Sequence, residues 1–165
     1  VVQTERLLGA LCKADVAFVV IGGMAAVAQG SSYVTADLDI CYQRQPRNYE
    51  RLSRALQPFH PQLRGAPADL PFILDAATLK AGLNFTLTTD GGDLDLMGEV
   101  KGLGDYEAVR AHAEEVEIYG YPVLVLTLAG LIHSKQATGR PKDLRLIEEL
   151  QALQALWTES QQKER

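Results

Sequence analysis

The strongest constraint on this chain is an apolar, largely β-branched run, Val16 to Ile21, that breaks at Gly22-Gly23 and is followed by a second strand bearing Asp37 and Asp39. A run of that kind reads as a central strand buried on both faces. Met24 to Gln29 reads as a short helix that Gly30 ends, so Phe18 to Tyr42 forms strand, glycine turn, helix and strand. Alternation on the second strand sends Asp37 and Asp39 to one face and Leu38 and Ile40 to the other, into a core. Two neighbouring carboxylates repel one another unless a proton or a cation lies between them. Hard divalent cations such as Mg²⁺ prefer carboxylate oxygen and also hold substrate phosphates. Gly22 and Gly23 let the backbone turn sharply and come close to a ligand, and the N–H groups of the helix that follows suit an anion. A phosphate cradle followed by a metal clamp is what a nucleoside triphosphate requires.

Ile21-Gly22-Gly23, thirteen residues, and then Asp37-Leu38-Asp39-Ile40 resembles the signature of the polymerase-beta-like nucleotidyltransferase superfamily. The resemblance implies an α+β (α/β two-layer) nucleotidyltransferase fold, with a mixed β-sheet, flanking helices and a C-terminal helical pair. It also implies a third carboxylate on a later strand beside the Asp-x-Asp strand. Leu83 to Thr89 and Asp93 to Met97 alternate around a Gly-rich turn and read as a β-hairpin. Its second arm puts Asp93 and Asp95 on one face. Asp95 is the preferred third carboxylate, with Asp93 as competitor, and a plain turn or an isolated calcium-type loop remains open for Asp90 to Asp93. By the resemblance Asp37, Asp39 and Asp95 are catalytic and hold two Mg²⁺ ions, and Gly22 and Gly23 cradle phosphates of a bound NTP.

Lys135 through Asp143 resembles a segment of the bacterial abortive-infection-toxin-type branch, in which Lys135 and Lys142 approach nucleotide phosphates and Asp143 orients a lysine. An interhelical salt-bridge corner is the competing reading. Ser31, Ser32 and Thr35 serve either as turn residues or as hydroxyls near a phosphate. Arg47, Arg51 and Arg54 share a helix face, which is either solvated or meets an acceptor.

The remaining chain is read from local pattern. Thr4 is expected to cap a helix over 3–14, and Asn48 one that runs to Leu56. Residues 62–71 read as a surface loop, while Phe72 to Leu74 and Thr78 to Lys80 read as short strands. Asp105 caps a helix, Glu114 to Tyr119 and Pro122 to Leu126 form a second hairpin, and Thr127 caps a helix that Gly139 ends. A last helix starts at Pro141 with Leu144, Ile147, Leu150 and Leu153 as its buried stripe, and the polar residues 158–165 fray.

At 165 residues with 47% hydrophobic and 22% charged residues, the chain suits a single domain over residues 1–157, with a core at about 16–126 and C-terminal helices over 127–157. The net charge of −5 argues against a sequence-independent nucleic-acid binder, leaving a local basic patch open. No apolar run reaches the roughly 20 residues a bilayer requires, and no secretory signal opens the chain, so a cytoplasmic protein without membrane contact is expected. Cys12 and Cys41 read as free thiols, and the three histidines lack metal-ligand spacing. The expected activity is metal-dependent transfer of NMP from an NTP to a hydroxyl on a small molecule, an RNA end or a protein. The alternatives are a catalytically inactive binding or regulatory protein of the same fold, with a partner protein in a toxin–antitoxin pair, and a fold relative with other phosphoryl chemistry.

Overall fold

The computed structural model describes residues 3–165; Val1 and Val2, part of the expected domain, lie outside the described residues. The helices are α1 (Gln3–Lys13), α2 (Gly22–Ala28), α3 (Pro46–Leu56), α4 (Ala76–Ala81), α5 (Tyr106–Arg110), α6 (Leu128–Thr138) and α7 (Leu144–Lys163). The strands are β1 (Phe18–Ile21), β2 (Leu38–Tyr42), β3 (Gln62–Leu63), β4 (Phe85–Thr89), β5 (Gly92–Met97), β6 (Glu99–Val100), β7 (Gly104–Asp105), β8 (Ala113–Ile118) and β9 (Tyr121–Leu126). Seven of them form one mixed sheet in the order β3-β4-β5-β2-β1-β9-β8, and β6 pairs with β7 separately. The β5–β2 and β1–β9 pairs are parallel; the other pairs of the main sheet are antiparallel. This is the expected α+β architecture.

The most apolar strands lie in the middle. Val19, Val20, Leu38, Ile40, Leu94 and Leu96 are fully buried. Each such side chain contributes about 1.5–3 kcal/mol relative to exposure. Helices α1, α3 and α4 pack successively on one another, while α2 meets β1, β2 and β9 and leads to the α6–α7 pair. No described helix is long and apolar enough to cross a membrane.

Several local expectations hold because the signal is local. Thr127 accepts from Gly130 N, Asp105 accepts from Ala108 N, and Gly139 closes α6 in the left-handed conformation. Both hairpins form where alternation places them. Both cysteines are free.

Other expectations are corrected by long-range packing. Thr4 lies inside α1, buried, with its hydroxyl donating to Ala36 O at 3.3 Å. Asn48 does not cap α3, which starts at Pro46 after Gln45. Instead its amide braces two segments: Oδ1 accepts from Ala17 N at 2.8 Å, and Nδ2 donates to Ala17 O and Gln43 O. Gln62 and Leu63, read as loop, form edge strand β3 against β4. Phe72 to Leu74 is not a strand, and Thr78 to Lys80 lies in α4, which Asp75 caps by accepting from Thr78 N at 2.8 Å. Leu144 is exposed, leaving Ile147 and Leu150 as the buried residues of α7 with Leu153 packed beside them. The polar tail is helical through Lys163.

Candidate active site

Two of the acidic residues, Asp39 and Asp95, are brought side by side by sheet register. β5 runs parallel to β2 with Asp95 directly opposite Asp39, and directly opposed residues send their side chains to the same face. Asp93 lies two residues earlier on that face, beside Thr88 rather than beside β2. The row continues both ways: Asp39 opposes Ile21 on β1, Asp95 opposes Thr86 on β4, and Arg64 N donates to Thr86 O at 3.0 Å. Arg64, Thr86, Asp95, Asp39 and Ile21 thus form one line across five segments of chain.

The glycine turn abuts this line. Gly22 has φ +63, a conformation that favours glycine, and a Cβ there would collide with the Asp39 carboxylate. Backbone therefore lies directly against Asp39, and only glycine permits it. A Cβ on Gly23 would meet the Tyr33 ring at 2.8 Å and Thr35 Cβ at 3.0 Å, so the segment between α2 and β2 folds over the turn. Because α2 has only seven residues, a phosphate cradle here depends on that close backbone approach more than on a helix dipole.

Electrostatically, Asp39 is the stressed group. Burial first, then the charges of Asp95 and Asp37, push its carboxyl from 3.8 up to about 6; Lys135 and Arg64 act in the opposite direction. Asp37, just before β2, is exposed, and its N–H donates to Thr35 Oγ1 at 3.2 Å. Lys135 is mostly covered, with Nζ 3.9 Å from Asp143 Oδ1. Asp143 itself is buried, which raises its pKa, but Arg140, Lys135 and Thr138 outweigh that and hold it below the usual carboxylate range. Arg140 Nε donates to Asp143 Oδ2 at 2.8 Å and the Thr138 hydroxyl donates at 3.2 Å. The α6–α7 corner is therefore an ion cluster that also fixes a lysine close enough to act on Asp39.

The charges of Asp95, Asp37 and Lys135 all act on Asp39, Gly22 abuts it, and Gly23 and Thr35 stand in the adjoining turn. It does not bring in Ser31 or Lys142. Ser31 is buried, its hydroxyl donating to Glu149 Oε1 at 3.2 Å and accepting from Tyr33 N at 3.0 Å. Lys142 is exposed in the 3-10 turn before α7 and is not among the charges acting on Asp39.

Sequence reasoning missed two participants. Arg64 Nη2 donates to Asp95 Oδ1 at 2.9 Å and to Leu87 O at 2.7 Å. Its buried Nε lies 3.3 Å from Asp93 Oδ2 without hydrogen-bond alignment. Glu149 of α7 accepts from Ser32 N at 2.7 Å, Ser32 Oγ at 3.0 Å and Ser31 Oγ, and so straps down the segment that covers the turn. Neither residue has a local signature, because each acts on a distant part of the chain.

The donor chemistry fits a hard divalent cation: carboxylate oxygens crowded on one face, their repulsion expressed in the raised Asp39 carboxyl. Asp39 stands at the centre of this face, with Asp37 and Asp95 as its neighbours. As the side chains stand, no three His, Cys, Asp or Glu groups among the described residues converge tightly enough to hold a metal ion. A large apolar concavity lies elsewhere, between α2, the start of α6 and the far half of α7, lined by Leu128, Leu153, Leu156 and Trp157. It carries no cluster of reactive groups.

No protein-family model matches the chain, and no curated protein does. Solved structures do. The solution structure of the antibiotic-resistance factor ANT(2'')-Ia is similar at 15% identity, covering 98% of this chain and 92% of that one, with a TM-score of 0.56. The crystal structure of ANT(2'')-Ia in complex with adenylyl-2''-tobramycin is similar at 14% identity over 95% of each chain, with a TM-score of 0.57. A Thermotoga maritima protein assigned as a nucleotidyltransferase, TM1012, is similar at 17% identity over 94% of this chain and 91% of that one, with a TM-score of 0.50. Likeness at such identity establishes the fold alone, and the fold is that of the nucleotidyltransferases.

Proposed function

We propose that this chain is a single nucleotidyltransferase-like domain that transfers NMP from an NTP to a hydroxyl acceptor in a reaction dependent on a divalent cation, Mg²⁺ in the cell. One observation carries the reading: Asp39 and Asp95 stand in register on parallel neighbouring strands, with a glycine turn that only glycine can make against Asp39. A cation held by Asp39 and Asp37, beside Asp95, would supply positive charge for the triphosphate and its leaving pyrophosphate. The chain's own residues do the rest. Gly22 and Gly23 let the backbone lie against Asp39, and their N–H groups would hold phosphate oxygens there. Lys135, fixed by Asp143, adds a charge complementary to those oxygens. Asp95, opposite Asp39, is the carboxylate available to take the acceptor hydroxyl proton.

A small hydroxylated molecule is the acceptor the observations favour. The net charge of −5 opposes RNA backbone binding, and a structure of this fold carries an adenylylated small molecule. The buried Asp143 that holds Lys135 supports the likeness to the abortive-infection-toxin branch. One observation favours the second reading, an inactive binding or regulatory protein working with a partner: Arg64 already engages Asp95.

The test is incubation with each α-labelled NTP, Mg²⁺ and a panel of small polyhydroxylated acceptors, RNA ends and cell extract. Label transferred by the wild type and not by Asp39→Asn supports the enzyme. Calorimetric nucleotide binding without transfer to any acceptor supports the inactive reading, and absence of both refutes the site.

A further inference from the structure

Arg64 terminates the row of site residues and is held there by four interactions. Its backbone N–H donates to Thr86 O at 3.0 Å, and Nη2 donates to Leu87 O at 2.7 Å and Asp95 Oδ1 at 2.9 Å. Nε lies 3.3 Å from Asp93 Oδ2. The side chain is only 29% exposed, so its charge is screened less than a free surface arginine's. Guanidinium is permanently charged and its planar fork matches carboxylate oxygens. Both carboxylates on the site face of β5 are therefore engaged by one fixed cation. Asp95 therefore has one oxygen committed to Arg64, and no three acidic groups among the described residues are arranged to hold a metal ion. A divalent ion approaching Asp95 would meet a like charge bound to the same carboxylate, and would have to displace a guanidinium held by two hydrogen bonds and a third, unaligned ionic contact.

We propose that Arg64 occupies the role of a second cation, neutralising Asp95 and leaving one divalent-ion position, on Asp37 and Asp39, where the resemblance implies two. This rests on reading the carboxylates as a cation site. Arg64 is then a positioning residue for Asp95, and its charge also favours the approach of an anionic triphosphate. Loss of that charge has effects of opposite sign: the acidic cluster becomes more attractive to a metal ion and less attractive to a nucleotide. A merely structural arginine would weaken both together.

The experiment is titration of the full chain with Mn²⁺ by calorimetry and electron paramagnetic resonance, followed by titration with a non-hydrolysable ATP analogue. The wild type should bind one Mn²⁺. Arg64→Met and the hydrogen-bonding but neutral Arg64→Gln should bind Mn²⁺ about tenfold more tightly, or take a second ion, while binding the analogue less tightly. Arg64→Lys, which keeps the charge but loses the planar fork, should fall between the wild type and the neutral variants in both titrations. Circular dichroism identifies any neutral variant that fails to fold, and the other then decides. Two Mn²⁺ on the wild type, unchanged or weaker Mn²⁺ binding in the folded neutral variants, or a lysine variant that behaves like them would overturn the assignment of Arg64. Absence of Mn²⁺ binding by the wild type would overturn the cation site as well.

Discussion

At the scale of single residues, Asp39 illustrates how a site stores instability. Its folded carboxyl titrates at about 6 against 3.8 for the free group, so the native chain holds that proton more tightly than the unfolded one. The favourable contribution is complete below about pH 3.8 and is lost as pH rises through about 6. At neutral pH the ionised group is a net cost, on the order of 2–3 kcal/mol. Asp39→Asn removes the charge at nearly constant shape. Its denaturation midpoint in urea should therefore exceed the wild type's at pH 7.5, and the advantage should vanish near pH 4, while NMP transfer drops to the assay floor. Equal or lower stability at pH 7.5 would mean that Asp39 is not strained by its neighbours. Asn48 is the opposite case, a polar residue whose burial is fully compensated. Asn48→Ala leaves Ala17 N and Gln43 O without their partner, while Ala17 O keeps its bond from Gln43 N, and unfolding free energy should fall by about 2–3 kcal/mol. A loss under about 1 kcal/mol would show that water replaces the amide.

At the scale of elements, the chain was legible wherever structure follows from neighbours in sequence. The period of two in β2 and β5 put Asp39 and Asp95 on one face, with Asp37 falling just before β2, and caps such as Asp105 and Thr127 sit three residues from the N–H they satisfy. Elements whose stability comes from elsewhere were misread. β3 is two residues long and exists by pairing with β4, and Asp75, which caps α4, was hidden by the β-branched Thr78. The register that sets Asp95 opposite Asp39 also lies beyond local pattern, because it depends on how the β4–β5 hairpin docks on β2. The same holds for α7, whose Glu149 reaches back more than a hundred residues to Ser31 and Ser32. The backbone hydrogen bond from Ser32 is the main reason its carboxyl lies below the usual glutamate range, so the strap is present above the ordinary glutamate pKa and weakens as pH falls. Glu149→Ala should accelerate hydrogen exchange across 32–37 and weaken nucleotide-analogue binding, leaving the amides of β1 and β2 protected. Unchanged exchange over 32–37 would mean that Tyr33 and Thr35 hold the segment without α7.

At the scale of the whole molecule, the proposed activity asks the chain to bind an anion while carrying a net charge of −5 and a crowded acidic face. Lys135 and Arg64 compensate only part of that crowding, since Asp39 remains raised despite both. The remaining repulsion makes the native state responsive to any cation that can replace the missing proton. A ligand that binds only the native chain stabilises it by about 2.7 kcal/mol at a hundredfold excess over its dissociation constant. For a chain of this size that corresponds to a rise of about 5–10 °C in melting temperature. Mg²⁺ or Mn²⁺ should therefore raise the midpoint at pH 7.5, where Asp39 is ionised. The increment should shrink as pH falls through about 6, because protons and metal compete for the same oxygens. KCl at matched ionic strength should not reproduce it, and Asp39→Asn should abolish it. Differential scanning fluorimetry over pH 5 to 8 reads all four conditions. An increment that persists unchanged at pH 5, or that KCl matches, would assign the effect to general screening of the acidic surface and remove Asp39 from the binding of the ion.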